Sequence, residues 1–139
     1  PKNKKIRGYI IKLKKPAFGF PAGRIIYIGK GKDVNKRRNQ EIGKETGPAT
    51  FFRSIGVVLN KTVIPGSGKN YRFKEHDEIV NWLCKYTKNS IIICDQLKEE
   101  KRLIKIHRPP FNIIYNSKHC FPGLLELRKK AKAIAIKTA

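Results

Sequence analysis

No stretch of this 139-residue chain approaches the roughly 18 apolar residues of a spanning helix, so a helical membrane span is not expected. The N-terminal lysines run into a strand-like segment, not the apolar centre of a secretory leader. A proline at position 1 fits either loss of an initiator methionine or a piece of a longer chain. Cysteines are few. Cys84, Cys94 and Cys120 are odd in number and widely spaced, without a Cys-x-x-Cys pair. A structural zinc site is therefore not expected. Buried free thiols in a reducing, cytoplasmic setting are the expectation instead. No internal repeat or low-complexity segment is present. Acidic side chains are also scarce: 10 Asp and Glu stand against 32 Lys and Arg, a formal net charge of +22. A surface that charged repels itself, and solubility asks for much less. A polyanionic partner accounts for it, nucleic acid ahead of a membrane.

The length fits one domain over residues 1–139, long enough to bury a core. Residues 6–13 and 24–29 are β-branched and aromatic and read as strands. The Pro- and Gly-rich stretch 14–23 between them reads as a loop. Asp33 is a good N-cap for a helix over about 34–43, with Gly43 as its stop. Thr50 can cap another helix carrying Phe51, Phe52, Ile55 and Val58. Residues 60–70, with Pro65-Gly66-Ser67-Gly68, read as an exposed loop. Helical spacing returns over 75–87, a short apolar strand over 90–94, and a further helix over 96–107 ended by Pro109-Pro110. Residues 111–115 read as extended, and a basic helical tail occupies about 121–139. The order β-β-α-α-α-β-α-β-α is that of a mixed α/β (α+β) domain with helices packed on a small sheet.

One residue stands out on physical grounds. In the helix over 96–107 the apolar residues are Leu97, Leu103, Ile104 and Ile106. At about 100° per residue, Glu100 points near the middle of their stripe. A carboxylate there has to be paired, protonated or bound to a cation. A plain salt bridge to one of the many basic residues meets that need as well as a metal or a catalytic role does. A second feature is Tyr27-Ile28-Gly29-Lys30-Gly31-Lys32-Asp33, read as a strand ending in a Gly-x-Gly turn before a helix. Backbone N–H groups at such a helix start can hold a phosphate. Arg37 and Arg38 follow about one turn into the helix, where a guanidinium reaches the same place. Basic glycine turns are common, and periodicity does not choose between the two arginines.

Together these residues resemble the GIY-YIG nuclease superfamily. Tyr27-Ile28-Gly29 is the second half of that name. The stretch Ile26–Asp33 followed by Lys36-Arg37 is similar to the catalytic module of the incision subunit of bacterial nucleotide-excision repair. So is Glu100-Lys101-Arg102-Leu103-Ile104-Lys105-Ile106-His107-Arg108-Pro109-Pro110-Phe111-Asn112. The likeness spans roughly residues 7–113 and implies a three-stranded, mainly antiparallel sheet flanked by helices. The first motif departs from pattern: Arg7-Gly8-Tyr9 stands for Gly-Ile-Tyr. Aligning tyrosine with tyrosine selects Tyr9, whereas aligning glycine with glycine selects Ile10. A shift of one residue turns a strand side chain to the opposite face. Tyr9 is preferred. The segment at about 46–90 is an elaboration that the repair module does not imply.

The resemblance implies an endonuclease hydrolysing the phosphodiester bonds of DNA. Glu100 would bind one divalent metal, Mg²⁺ or alternatively Mn²⁺. Tyr27 would be the general base, its phenolate favoured by Lys30, Arg37 and the metal. Tyr9 would hydrogen-bond the attacking water or its phosphate. Arg37 and Lys30 would neutralise charge on the transferring phosphoryl group. Asn112 would orient Glu100 or a phosphate, unless it merely caps the turn after the prolines. Lys32, Arg38, Lys69, Arg72, Arg128 and Lys129 are the expected backbone-tracking residues, whose grip weakens with salt. Rival readings are an RNA-cleaving, toxin-like nuclease, a site-specific restriction-like enzyme and a basic binding module that does not cut. The last has no need of Glu100.

Overall fold

The computed structural model describes residues 7–31, 39–40, 42–43, 50–66, 70–93 and 97–138. In chain order the elements are β1 (Arg7–Leu13), β2 (Ile25–Gly31), α1 (Thr50–Val58), β3 (Val63–Pro65) and β4 (Tyr71–Phe73). There follow α2 (His76–Tyr86), β5 (Thr87–Ile93), α3 (Leu97–His107) and α4 (Leu124–Thr138). β1 is the middle strand of an antiparallel sheet ordered β2-β1-β5. Fold class and sheet therefore match the expectation of a small α/β domain built on three antiparallel strands.

Strand alternation sorts the side chains of β1. Tyr9, Ile11 and Leu13 are buried, while Ile10 is half-buried and Lys12 exposed. Tyr9 lies opposite Gly29 and Ile11 opposite Tyr27, so Tyr9 and Tyr27 share one face of the sheet. Ile10 belongs to the other.

The elaboration is more ordered than its sequence suggests. Residues 60–70 are not merely a loop: Val63–Pro65 pairs antiparallel with Tyr71–Phe73 as a two-stranded sheet. Its alternation is short and interrupted by Pro65 and Gly66, which masks a strand signal. Aromatic and aliphatic side chains fill the space beneath it, among them Phe51, Phe52, Ile55, Phe73, Ile79 and Leu83. Gly56 lets α1 approach: a Cβ there would run into the Phe73 ring. α4 packs on α1 and β3 through Leu124, Ala131 and Ala135. α2 passes straight into β5 because Thr87 takes extended backbone while its N–H and hydroxyl both return to the Leu83 carbonyl. The strand therefore starts three residues before the apolar run that announced it.

Other expectations change too. Gly29-Lys30-Gly31 is the end of β2, not a turn. The helix over 34–43, with its Asp33 cap, lies largely outside the described residues, although Asn39 and Gln40 are helical. Gly43 takes φ +80 and bonds back to the Gln40 carbonyl, as a stop glycine does. Residues 111–115 form turns and irregular backbone in place of a strand. On α3, Ile104 is buried but Ile106 is 57% exposed, so the inward stripe is narrower than the apolar residues imply. Cys84 is exposed and Cys120 partly so. Both are free, as expected, but neither is buried, and Cys94 lies outside the described residues. Among the described residues, no helix is long and apolar enough to cross a membrane.

Candidate active site

The two edge strands of the three-stranded sheet differ in what reaches them, and β2 is the one that carries the candidate site. Its alternate residues Ile26 and Ile28 direct backbone groups outward from β1. The segment after α3 satisfies them. Phe111 donates its N–H to the Ile26 carbonyl at 3.0 Å. The Asn112 side chain then imitates a strand residue: its Oδ1 accepts from the Ile28 N–H at 2.8 Å, and its Nδ2 donates to the Ile28 carbonyl at 2.9 Å. Buried Asn116 holds the same segment from behind, donating to the carbonyls of Pro109 and Asn112 at 2.7 and 3.1 Å. Arg108, with φ +46, reverses the chain out of α3. The consecutive prolines that follow cannot prolong the helix.

A hollow of about 450 Å³ opens beside this edge. Tyr9, Tyr27, Lys30, Glu100 and Asn112 border it, together with Thr50, Ile104, Phe111, Tyr115 and Arg128. Four consecutive residues of β2, from Tyr27 to Lys30, take part. Since neighbours alternate between faces, the hollow must lie along the strand's margin.

Each wall has a local cause. The Tyr9 ring lies across Gly29, where any Cβ would land on the ring, so glycine is needed opposite this tyrosine. Tyr9 and Tyr27 have ring centroids 6.1 Å apart, and Phe51 stands behind Tyr27 at 5.0 Å. Phe51 also meets Phe111 edge-on at 5.8 Å. Such pairs add about 0.5–1.5 kcal/mol each beyond area burial. The elaboration thus braces Tyr27 through Phe51.

Glu100 lies on the inward face of α3, one turn before buried Ile104, and its side chain is only 13% exposed. Its Oε2 is 3.6 Å from Lys30 Nζ, an ion pair too long for a hydrogen bond, and has no hydrogen-bond partner among the described residues. Burial pushes the Glu100 carboxyl above its ordinary value, and Lys30 offsets part of that rise. The carboxylate is therefore short of donors and open to a cation. Among the described residues no three His, Cys, Asp or Glu side chains cluster, and Glu100 is the acidic residue among those that border the hollow. A hard divalent ion held by one carboxylate, phosphate oxygens and waters suits that donor set.

The remaining expected residues divide. The amide of Asn112 engages Ile28 backbone, which makes it a brace for the loop before anything else. Arg72 is exposed on β4, its Nε donating to the Pro65 carbonyl at 3.0 Å across the hairpin. Lys129 is exposed on α4. Lys32, Arg37, Arg38 and Lys69 lie outside the described residues. Thr50, Phe51, Phe111, Tyr115 and the inward setting of Arg128 were not foreseen. For Arg128 the signal was available: with Leu124, Ala131 and Ala135 it forms a stripe at helical spacing.

An acid beside two tyrosines and a lysine, on a strongly basic chain, is an arrangement compatible with the handling of phosphate esters. A family model for the GIY-YIG catalytic domain matches residues 21–132, and the chain belongs to that family. It carries a nuclease domain, which implies a nucleic acid substrate. The match begins beyond β1, so the assignment of Tyr9 stands on its face of the sheet and its contact with Gly29. Comparison with curated proteins and with solved structures gives no match.

Proposed function

We propose that this protein is a metal-dependent endonuclease that hydrolyses phosphodiester bonds of DNA. The observation that carries the reading is Glu100: a nearly buried carboxylate with an oxygen that has no hydrogen-bond partner among the described residues, facing a hollow shared with Tyr9, Tyr27 and Lys30. A fold kept only for binding a polyanion gains nothing from a buried negative charge. Membership of a family of mostly DNA endonucleases supports DNA over RNA.

Glu100 would hold one divalent cation, Mg²⁺ in the first instance. Such an ion polarises the scissile phosphate and offsets charge on the leaving oxygen. Tyr27 takes the proton of the attacking water, and Phe51 behind its ring keeps the phenol from swinging away. Tyr9, pinned on Gly29, donates a hydrogen bond to the water or to the phosphate it attacks. Lys30 neutralises charge as the phosphoryl group passes to water and balances Glu100 when the hollow is empty of substrate. Arg37, as the resemblance implies, adds a guanidinium to the same task. Asn112 holds the loop against β2, so that Glu100 in the first turn of α3 and Tyr27 on β2 keep their relation. The remaining basic residues, including Lys32, Arg38, Lys69, Arg72 and Lys129, would track backbone phosphates.

Supercoiled plasmid incubated with Mg²⁺, with Glu100→Ala as control and an RNA of similar length in parallel, tests the proposal. Nicking by the wild type alone supports it. Cleavage confined to RNA would redirect it to an RNA enzyme. Absence of any metal-dependent cleavage would leave a binding module.

A further inference from the structure

We infer that Arg128, supplied by the C-terminal helix α4, is a catalytic residue of the hollow. Its guanidinium contacts a non-bridging oxygen of the phosphate under attack. This rests on the nuclease reading and goes beyond it, since sequence analysis placed Arg128 only among the backbone-tracking residues.

Three observations converge. The first is direction. Leu124, Arg128, Ala131 and Ala135 share one side of α4, and the other three are buried against α1 and β3. Lys129, Lys130, Lys132 and Lys137 of the same helix are all exposed. Arg128 is thus the basic residue of α4 that the packing turns inward.

The second is its destination: Arg128 borders the hollow that Tyr9, Tyr27, Lys30 and Glu100 border. The third is its unsatisfied chemistry. Its Nε is buried without a hydrogen-bond partner among the described residues. Among the described residues Glu100 Oε2, on the same hollow, is also without one, the two do not pair, and the cation paired with Glu100 is Lys30. A buried guanidinium donor costs stability unless something accepts its hydrogen bond. The space separating these two groups suits a ligand that presents oxygens to both, directly to the arginine and through a cation to the acid. A phosphodiester does so, and the planar fork of arginine matches two of its oxygens. As negative charge builds on those oxygens, a fixed guanidinium binds the transition state more tightly than the ground state.

The test uses the whole chain with Arg128→Gln and Arg128→Lys. Single-turnover cleavage of a labelled DNA duplex is measured with saturating protein and Mg²⁺, and duplex affinity is measured separately without metal. R128Q is expected to lower the saturated rate by about 10²–10³-fold, while duplex affinity changes by less than tenfold. R128K keeps the charge but not the fork, and is expected to lose more than half of the rate. Sulfur in place of a non-bridging oxygen should slow the wild type more than R128Q. Should R128Q not fold, R128K carries the test. Rates within twofold of wild type in the folded variant would overturn the inference, as would losses confined to affinity. A wild type that cleaves nothing, like Glu100→Ala, would instead sink the nuclease reading and this inference with it.

Discussion

Helices α2 and α3 are both 11 residues long, and each presents its fourth and eighth residues to the interior. In α2 these are Ile79 and Leu83, both buried in the apolar core. In α3 they are Glu100 and Ile104. The two helices obey the same packing rule and differ by one inward side chain. On α2 that position contributes to the core. On α3 it removes a carboxylate from water without giving it a full set of partners. On the proposed reading of Glu100, the difference marks where this fold gives up stability for chemistry.

Exchanging the two faces should break the comparison most sharply. Ile79→Glu puts an unpaired charge into the core and is expected to cost more than about 4 kcal/mol, leaving the chain largely unfolded in urea and thermal melts. A variant as stable as the wild type would show that α2 tolerates what α3 tolerates. Next in size, Glu100→Gln should lower single-turnover cleavage by at least about 10³-fold with the fold intact by circular dichroism.

Gly29→Ala probes how firmly the tyrosine wall depends on its partner. It should cost about 1–3 kcal/mol through overpacking, and cleavage should fall even where melts show the variant folded, because the Tyr9 ring must move. The smallest effect has the opposite sign. Because burial raises the Glu100 carboxyl, the folded state holds that proton more tightly than the unfolded chain does. The ionised group therefore lowers stability above its raised value, and the loss fades as pH falls through that value. Glu100→Gln should melt about 2–4 °C above the wild type at pH 7 without metal, with the gap closing under acid conditions. A lower melting point at pH 7 would mean that the Lys30 pair outweighs burial.

Glu100 also shows how much was legible in the residues. Spacing alone pointed it inward, and the structure puts it there. The strands β1 and β2 were legible because alternation and β-branching agree over seven residues each. The Tyr27 motif and the Glu100–Asn112 motif needed family resemblance to be joined, since nothing local says that segments this far apart meet. The hairpin β3–β4 escaped notice because each strand is three residues long. The double hydrogen bond of Asn112 was illegible for another reason: an asparagine after prolines looks like a turn cap, and only the fold reveals a strand edge opposite it. The inward setting of Arg128 was legible in the same way, since Leu124, Ala131 and Ala135 share its helical spacing.

That asparagine has a consequence outside catalysis. The margin of β2 is a natural template for sheet growth, on which a second chain could lay a strand of its own. Asn112 and Phe111 occupy the sites such a strand would need, using an amide and one peptide N–H. The loop that steadies the proposed cutting site thereby also covers an edge on which such a strand would otherwise pair.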